Sequence, residues 1–157
     1  LDADHAHDGI TRRSVTRTLV FLNNTPMQWV HKHQKTVETS TCGSELVAAR
    51  IVTELVMALR CQLRMLGVPI DGPAMMHGDN QSVVLNTTVP SSVLKKKHHA
   101  CACHGVREAI AAKAIVFRHV KSSENLADVL TKPLALQDFH ALVKPCLFRV
   151  PKWGPEH

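Results

Sequence analysis

STCGSELVAARIVTELVMALRCQLRMLG, residues 40–67, is the longest stretch of the chain with a helical period. From Glu45 onward, Ala48, Val52, Leu55, Leu59, Leu63 and Leu66 recur at steps of three and four, which puts them on one helical face. Ser40 or Thr41 supplies an N-cap oxygen, and Gly67 and Pro69 end the helix. Glu45 opens the apolar stripe. An ionised carboxylate on a core-facing stripe is costly unless something positive, such as a metal ion, meets it. That misfit makes Glu45 the first candidate functional residue.

The totals set the frame around this helix. A chain of 157 residues suits one domain with a real core, and 45% hydrophobic content with 20% charge excludes overall disorder. Lys and Arg number 19 against 13 Asp and Glu, giving a formal charge of +6, and 11 histidines add charge in mild acid. This balance favours a polyanionic partner, nucleic acid first. The five cysteines, Cys42, Cys61, Cys101, Cys103 and Cys146, lack the spacing of a disulfide framework and point to reduced thiols in an intracellular compartment. With neither an initiator Met nor a signal-peptide run, the chain reads as a piece of a longer protein whose first strand is cut short. Arg50, Glu54, Arg60 and Arg64 interrupt the apolar region from Leu46 to Val68, so no membrane span is expected.

On the N-terminal side of the helix, LDADHAHD (residues 1–8) reads as a strand end with Asp2 and Asp4 on one face. Val15 to Leu22 and Met27 to His31 form a hairpin around Asn23-Asn24-Thr25-Pro26. On the C-terminal side, Ala74 to His77 is a strand, Gly78 a turn, and Asp79 to Ser82 the opening of a helix. An acid where a strand passes into a helix sits at the sheet edge where α/β proteins bind ligands. Lys95 to Ala112 then reads as a basic helix and Ala114 to Val120 as a strand. Lys121-Ser122-Ser123 caps a helix that starts near Glu124 and carries Asp128. Pro133 interrupts it, a last helix runs from Leu134 to Leu142, and residues 148–157 form an irregular tail.

Taken in order, DADHAHD, RRSV, LVFLNNTPMQWVHKHQKTV, GSELVAA, GDNQSVV, KKKHHACACHGVREAI and NLADVLTKPL form a succession that covers Asp2 to about Phe139. It resembles the ribonuclease H domain that closes the polyprotein of copia-type LTR retrotransposons. GDNQS and LADVLTKPL are the most specific pieces. The resemblance implies an α/β, ribonuclease H-like fold over residues 1–147, with a five-stranded mixed sheet flanked by helices and the first strand central. It carries the family's catalytic, metal-binding carboxylates over to Asp2, Glu45, Asp79 and Asp128. In the implied role split, Asp2 bridges two Mg²⁺ or Mn²⁺ ions, Glu45 and Asp79 bind the first, and Asp128 completes the second. The implied reaction is cleavage of the RNA strand of RNA–DNA hybrids to a 5′-phosphate and a 3′-hydroxyl. A reverse transcriptase domain would precede it in the same polyprotein, and a cytoplasmic virus-like particle would house it. The alternative is a catalytically inactive nucleic-acid-binding remnant of the same fold.

The chemistry gives its own reason for gathering acids. Two divalent ions roughly 4 Å apart activate a water, hold a phosphate in line and stabilise the leaving oxygen, and such hard ions take carboxylate oxygen where His and Cys would not serve. Each acid also has an ordinary alternative: Asp79 as a helix N-cap, Asp128 as a surface residue of an amphipathic helix, Asp2 as a frayed end, Glu45 paired with an Arg. Cys42-Gly43-Ser44 departs from the family's acidic pattern and puts Gly in the first helical turn, which weakens a helix start. Arg17 stands where the family tends to have Gly. His98, His99, Cys101, Cys103 and His104 crowd soft donors into seven residues. A helical register puts Lys97, Cys101 and His104 on one face; a basic helix is the plainer reading and zinc binding the other. Lys95, Lys96 and Lys97 are candidate phosphate contacts. His119 is the nearest imidazole to the loop where some cellular ribonucleases H carry a catalytic His.

Overall fold

The computed structural model describes residues 1–92, 94, 96–130 and 134–147. β1 (Asp2–Asp4), β2 (Val15–Leu22) and β3 (Thr25–His33) form one antiparallel sheet in that order, with Asp2 opposite Arg17 and Thr18 opposite Val30. The β2–β3 turn is shorter than the sequence suggests. Asn23 takes the left-handed conformation that Asn tolerates, and Pro26 falls inside β3, opposite Phe21, where the register shifts. β3 is the outer strand and nearly all of it is exposed, so Pro26 removes no interior hydrogen bond.

α1 (Thr41–Met65) follows the expected limits closely. Ser40 Oγ accepts from the Gly43 N–H at 3.2 Å, and Gly67 adopts φ +76°, the left-handed stop that glycine tolerates best. Along the stripe, Glu45, Ala48 and Val52 are buried, Leu55, Leu59 and Leu63 half-buried and Leu66 exposed. The first half of α1 therefore packs into the core while the second half runs out along the surface. β4 (Ala74–Gly78) and β5 (Ile115–His119) make a parallel pair, Ala74 opposite Ile115, joined through α2 (Gln81–Thr88) and α3 (Lys97–Ala111). Leu46, Ala48, Ala49 and Val52 of α1 meet Ala102, Cys103 and Val106 of α3 in a core completed by Val83, Met76, Ile115 and Phe117. The small residues let the two helices approach closely. α4 (Leu136–Val143) closes the described chain near a short 3-10 turn, Lys144–Cys146.

Three expectations are corrected here. The α/β architecture holds, but the five strands form a three-stranded antiparallel and a two-stranded parallel sheet, with β1 at an edge rather than at the centre of one mixed sheet. β1 is only three residues long, and the Leu1 nitrogen bonds the His77 carbonyl of β4 at 2.8 Å without extending into a ladder. A groove of about 770 Å³ separates the sheets beyond it, lined by residues such as Val20, Leu22, Val56, Met76 and Leu126. The segment bearing Asp128 is not an α-helix but two 3-10 turns, Ser122–Glu124 and Leu126–Leu130. Asn125 causes this: its side-chain oxygen accepts from Ala127 N and its carbonyl from Asp128 N, the short-range pairing of a turn. α3 starts at Lys97; Lys95, Pro133 and residues 148–157 lie outside the described residues. All five cysteines are unpaired, and among the described residues no helix is long and apolar enough to cross a membrane.

Candidate metal centre

Three separate elements deliver carboxylates to one place. Asp2 comes from β1, held against β2 by the ladder; Glu45 comes from the buried first turns of α1; Asp79 follows the last residue of β4. Oxygens of these three side chains lie within 4.8 Å of one another. The Ala3 N–H donates to Glu45 Oε1 at 3.1 Å, tying the helix to β1. Ser122 Oγ donates to Asp79 Oδ2 at 2.9 Å, and His119 Nε2 lies 3.1 Å from the Asp79 carbonyl.

The set crowds acids together, with the Leu1 ammonium as a positive group among them. Asp2 and Glu45 are both buried, and Asp2 Oδ2 has no hydrogen-bond partner among the described residues. Burial first, then the Asp2 charge, pushes the Glu45 carboxyl up to about 9, against the opposing pull of the Ala3 N–H. A cation between these oxygens would offset both the burial of Asp2 and the reluctance of Glu45 to ionise, as would a proton on Glu45 shared with Asp2. The donor set is all oxygen, which suits a hard divalent ion. The cleft has a volume of about 560 Å³ and is lined by Asp2, Asp4, His5, Glu45, Asp79 and Asn80 among others.

Asp128 is not one of the three acids whose oxygens all lie within 4.8 Å of one another, although its charge acts on the Leu1 ammonium together with theirs. It is buried, and Asn125 Nδ2 donates both to Asp128 Oδ1 and to the Leu1 carbonyl, each at 3.1 Å, so one amide links its turn to the start of β1. Asp79 does not cap α2. Asn80 does, its Oδ1 accepting from the Val83 N–H at 3.2 Å, which leaves the Asp79 carboxylate to face the cleft. Asn80, Ser122 and Asn125 are positioning residues that sequence reasoning passed over; only the Asx preference for caps and turns hinted at two of them.

The crowded Cys/His segment is split by the fold. Lys97, Cys101 and His104 share the expected face, and all three are exposed. Cys103 is buried and donates its thiol to the Asn86 carbonyl at 3.1 Å. His98 and His99 instead turn to Glu38, in the connection between β3 and α1. Gly43, which the sequence marks as a weakness, is buried against this trio: a Cβ there would sit 2.5 Å from His99 Nε2. Arg17 is buried as well, with its Nη2 3.9 Å from Asp4 Oδ2.

The chain is similar to three retrovirus-related Pol polyproteins from transposons. It is 30% identical to that of transposon RE2 of Arabidopsis thaliana over 141 residues, 88% of this chain and 10% of the relative. It is 29% identical to that of transposon RE1 of Arabidopsis thaliana over 138 residues, 88% of this chain and 9% of the relative. It is 28% identical to that of transposon TNT 1-94 of Nicotiana tabacum over 138 residues, 88% of this chain and 10% of the relative. The chain thus spans about a tenth of the length of these curated relatives. No protein-family model matches it. No solved structure matches it. The homology to retrotransposon Pol polyproteins bears out the broad relationship expected from the motifs.

Proposed function

We propose, from this homology to transposon Pol polyproteins, that the chain is a metal-dependent ribonuclease H that hydrolyses the RNA strand of RNA–DNA hybrids during reverse transcription. The observation that carries the reading is the convergence of Asp2, Glu45 and Asp79, far apart in sequence, to within 4.8 Å. Asp2, Glu45 and Asp79 would hold one Mg²⁺ or Mn²⁺ ion, and Asp128, outside that mutually close set, would complete a second only if it joins Asp2 when ions and substrate bind. When bound, such ions activate a water and stabilise the leaving oxygen of the phosphodiester.

The chain's own residues bind and orient. The Ala3 N–H and the Ser122 hydroxyl set the rotamers of Glu45 and Asp79, and Asn125 sets Asp128. The positive balance of the chain attracts the phosphate backbone, and contacts to 2′-hydroxyls across the minor groove distinguish the RNA strand. A reverse transcriptase domain preceding this one in the polyprotein would supply the hybrid.

The test is cleavage of an end-labelled RNA–DNA hybrid with Mg²⁺ or Mn²⁺. The wild type is expected to cut the RNA strand, and Asp79→Asn to lose about a hundredfold or more, since even partners outside the ligand shell are worth up to that much. Equal background in the two refutes the enzyme. Salt-sensitive hybrid binding without turnover selects the alternative, an inactive nucleic-acid-binding remnant.

A further inference from the structure

We propose that Glu38, His98 and His99 form a second metal site, chemically distinct from the carboxylate cleft, that takes a borderline transition-metal ion of the Zn²⁺ class. Glu38 lies about sixty residues before the two histidines, yet its Oε2 is 2.7 Å from His99 Nε2 and 3.2 Å from His98 Nε2. The three donor atoms lie within 4.8 Å of one another. Tetrahedral zinc with bonds of about 2.0–2.1 Å keeps its donors roughly 3.3 Å apart, so the trio reaches that geometry by small rotations.

Four further features fit an ion. The Glu38 and His99 side chains are only 1% and 10% exposed, so two ligands are already ordered and largely desolvated. Thr36 Oγ1 donates to Glu38 Oε1 at 2.9 Å, the outer partner that orients a ligating carboxylate. The His98 side chain is 58% exposed, which leaves an entry path and a fourth position open to water. Gly43 lets the first turn of α1 close over the site, because a Cβ there would lie 2.5 Å from His99 Nε2 and 2.9 Å from Glu38 Oε2. Two imidazole nitrogens and one carboxylate select zinc, cobalt or nickel over magnesium. The ion would clamp the β3–α1 connection to the start of α3, where Lys96 also donates to Thr39. It would thereby brace the helix that presents Glu45. Among the described residues, none of the nearby cysteines joins this set.

The competing account is a purely hydrogen-bonded trio, with both imidazoles donating to one carboxylate oxygen. The experiment that separates the two is Co²⁺ titration of the chelator-stripped full chain under a large excess of Mg²⁺, which occupies the carboxylate cleft. One equivalent of Co²⁺ with visible ligand-field bands, displaced by Zn²⁺, is expected. His98→Asn, at an exposed position that leaves the fold intact, should weaken uptake by about tenfold or more, while Asp79→Asn should leave it unchanged. The proposal is overturned if no Co²⁺ binds under excess Mg²⁺, if His98→Asn binds as wild type does, or if Asp79→Asn abolishes uptake. It stands or falls independently of the ribonuclease reading, which hybrid cleavage tests.

Discussion

At Glu45 charge and burial conflict. With its folded carboxyl raised from an ordinary 4.5 to about 9, the folded state holds the proton more tightly than the unfolded chain. Its contribution to stability is therefore fully present below about pH 4.5 and is lost as pH rises towards about 9. Chelator-treated protein should lose stability across that window, and Mg²⁺ should restore it. Glu45→Gln should flatten the profile and stabilise the chelator-treated chain at alkaline pH by on the order of 1–4 kcal/mol, while abolishing hybrid cleavage. Urea denaturation at several pH values checks this; parallel profiles for the two proteins would sink it.

Gly43 makes the opposite point at the same scale. Ala is the better helix former by about 1 kcal/mol, so helix propensity alone predicts that Gly43→Ala stabilises. The contacts at 2.5 Å to His99 and 2.9 Å to Glu38 predict the reverse, a net loss of about 1–3 kcal/mol. A raised melting temperature for Gly43→Ala would show that His99 swings aside freely. The sequence exposes the glycine but not its neighbours, since His99 is distant in the chain and arrives only by packing.

At the scale of elements, α1 was legible because its signals are local. The Ser40 cap, the three-and-four period and Gly67 all act within a few turns. Removing the cap with Ser40→Ala should cost about 1 kcal/mol, measurable by chemical denaturation, and no measurable loss would remove the cap from the account. The hairpin was legible for the same reason. The Asp128 segment was not, because its apolar neighbours mimic an amphipathic helix while the Asn125 side chain diverts the backbone into 3-10 turns. The strand-to-helix junction after β4 was half legible: an Asx residue does cap α2, but it is Asn80, and this leaves Asp79 for the cleft. Asn80→Ala should therefore lower stability by about 1 kcal/mol, whereas Asp79→Asn should affect cleavage and leave stability within about 0.5 kcal/mol.

At the scale of the molecule, the surplus of cations over acids acts together with an edge strand that exposes Trp29 beside His31, Lys32 and His33. Affinity for an RNA–DNA hybrid should fall log-linearly with salt. Replacing Lys32 by Ala should reduce that slope by about one unit if β3 contacts the backbone, as fluorescence anisotropy over a salt series would read. An unchanged slope would take β3 out of the interface.

The sequence by itself determined the order of the elements, the limits of α1 and of the hairpin strand β2, and the relationship to transposon polyproteins. These depend on period, caps, turn residues and side-chain chemistry, all of which operate over a few residues. Only the tertiary structure decided that Asp2, Glu45 and Asp79 converge, that Asn125 holds Asp128 in a 3-10 turn, and that the strands of the described residues divide into two sheets. It alone also turned His98 and His99 away from the cysteines towards Glu38. Those outcomes depend on which surfaces the chain buries against each other: the packing of α1 on α3 carries Glu38 to the histidines, and a three-residue β1 is too short to knit the strands together.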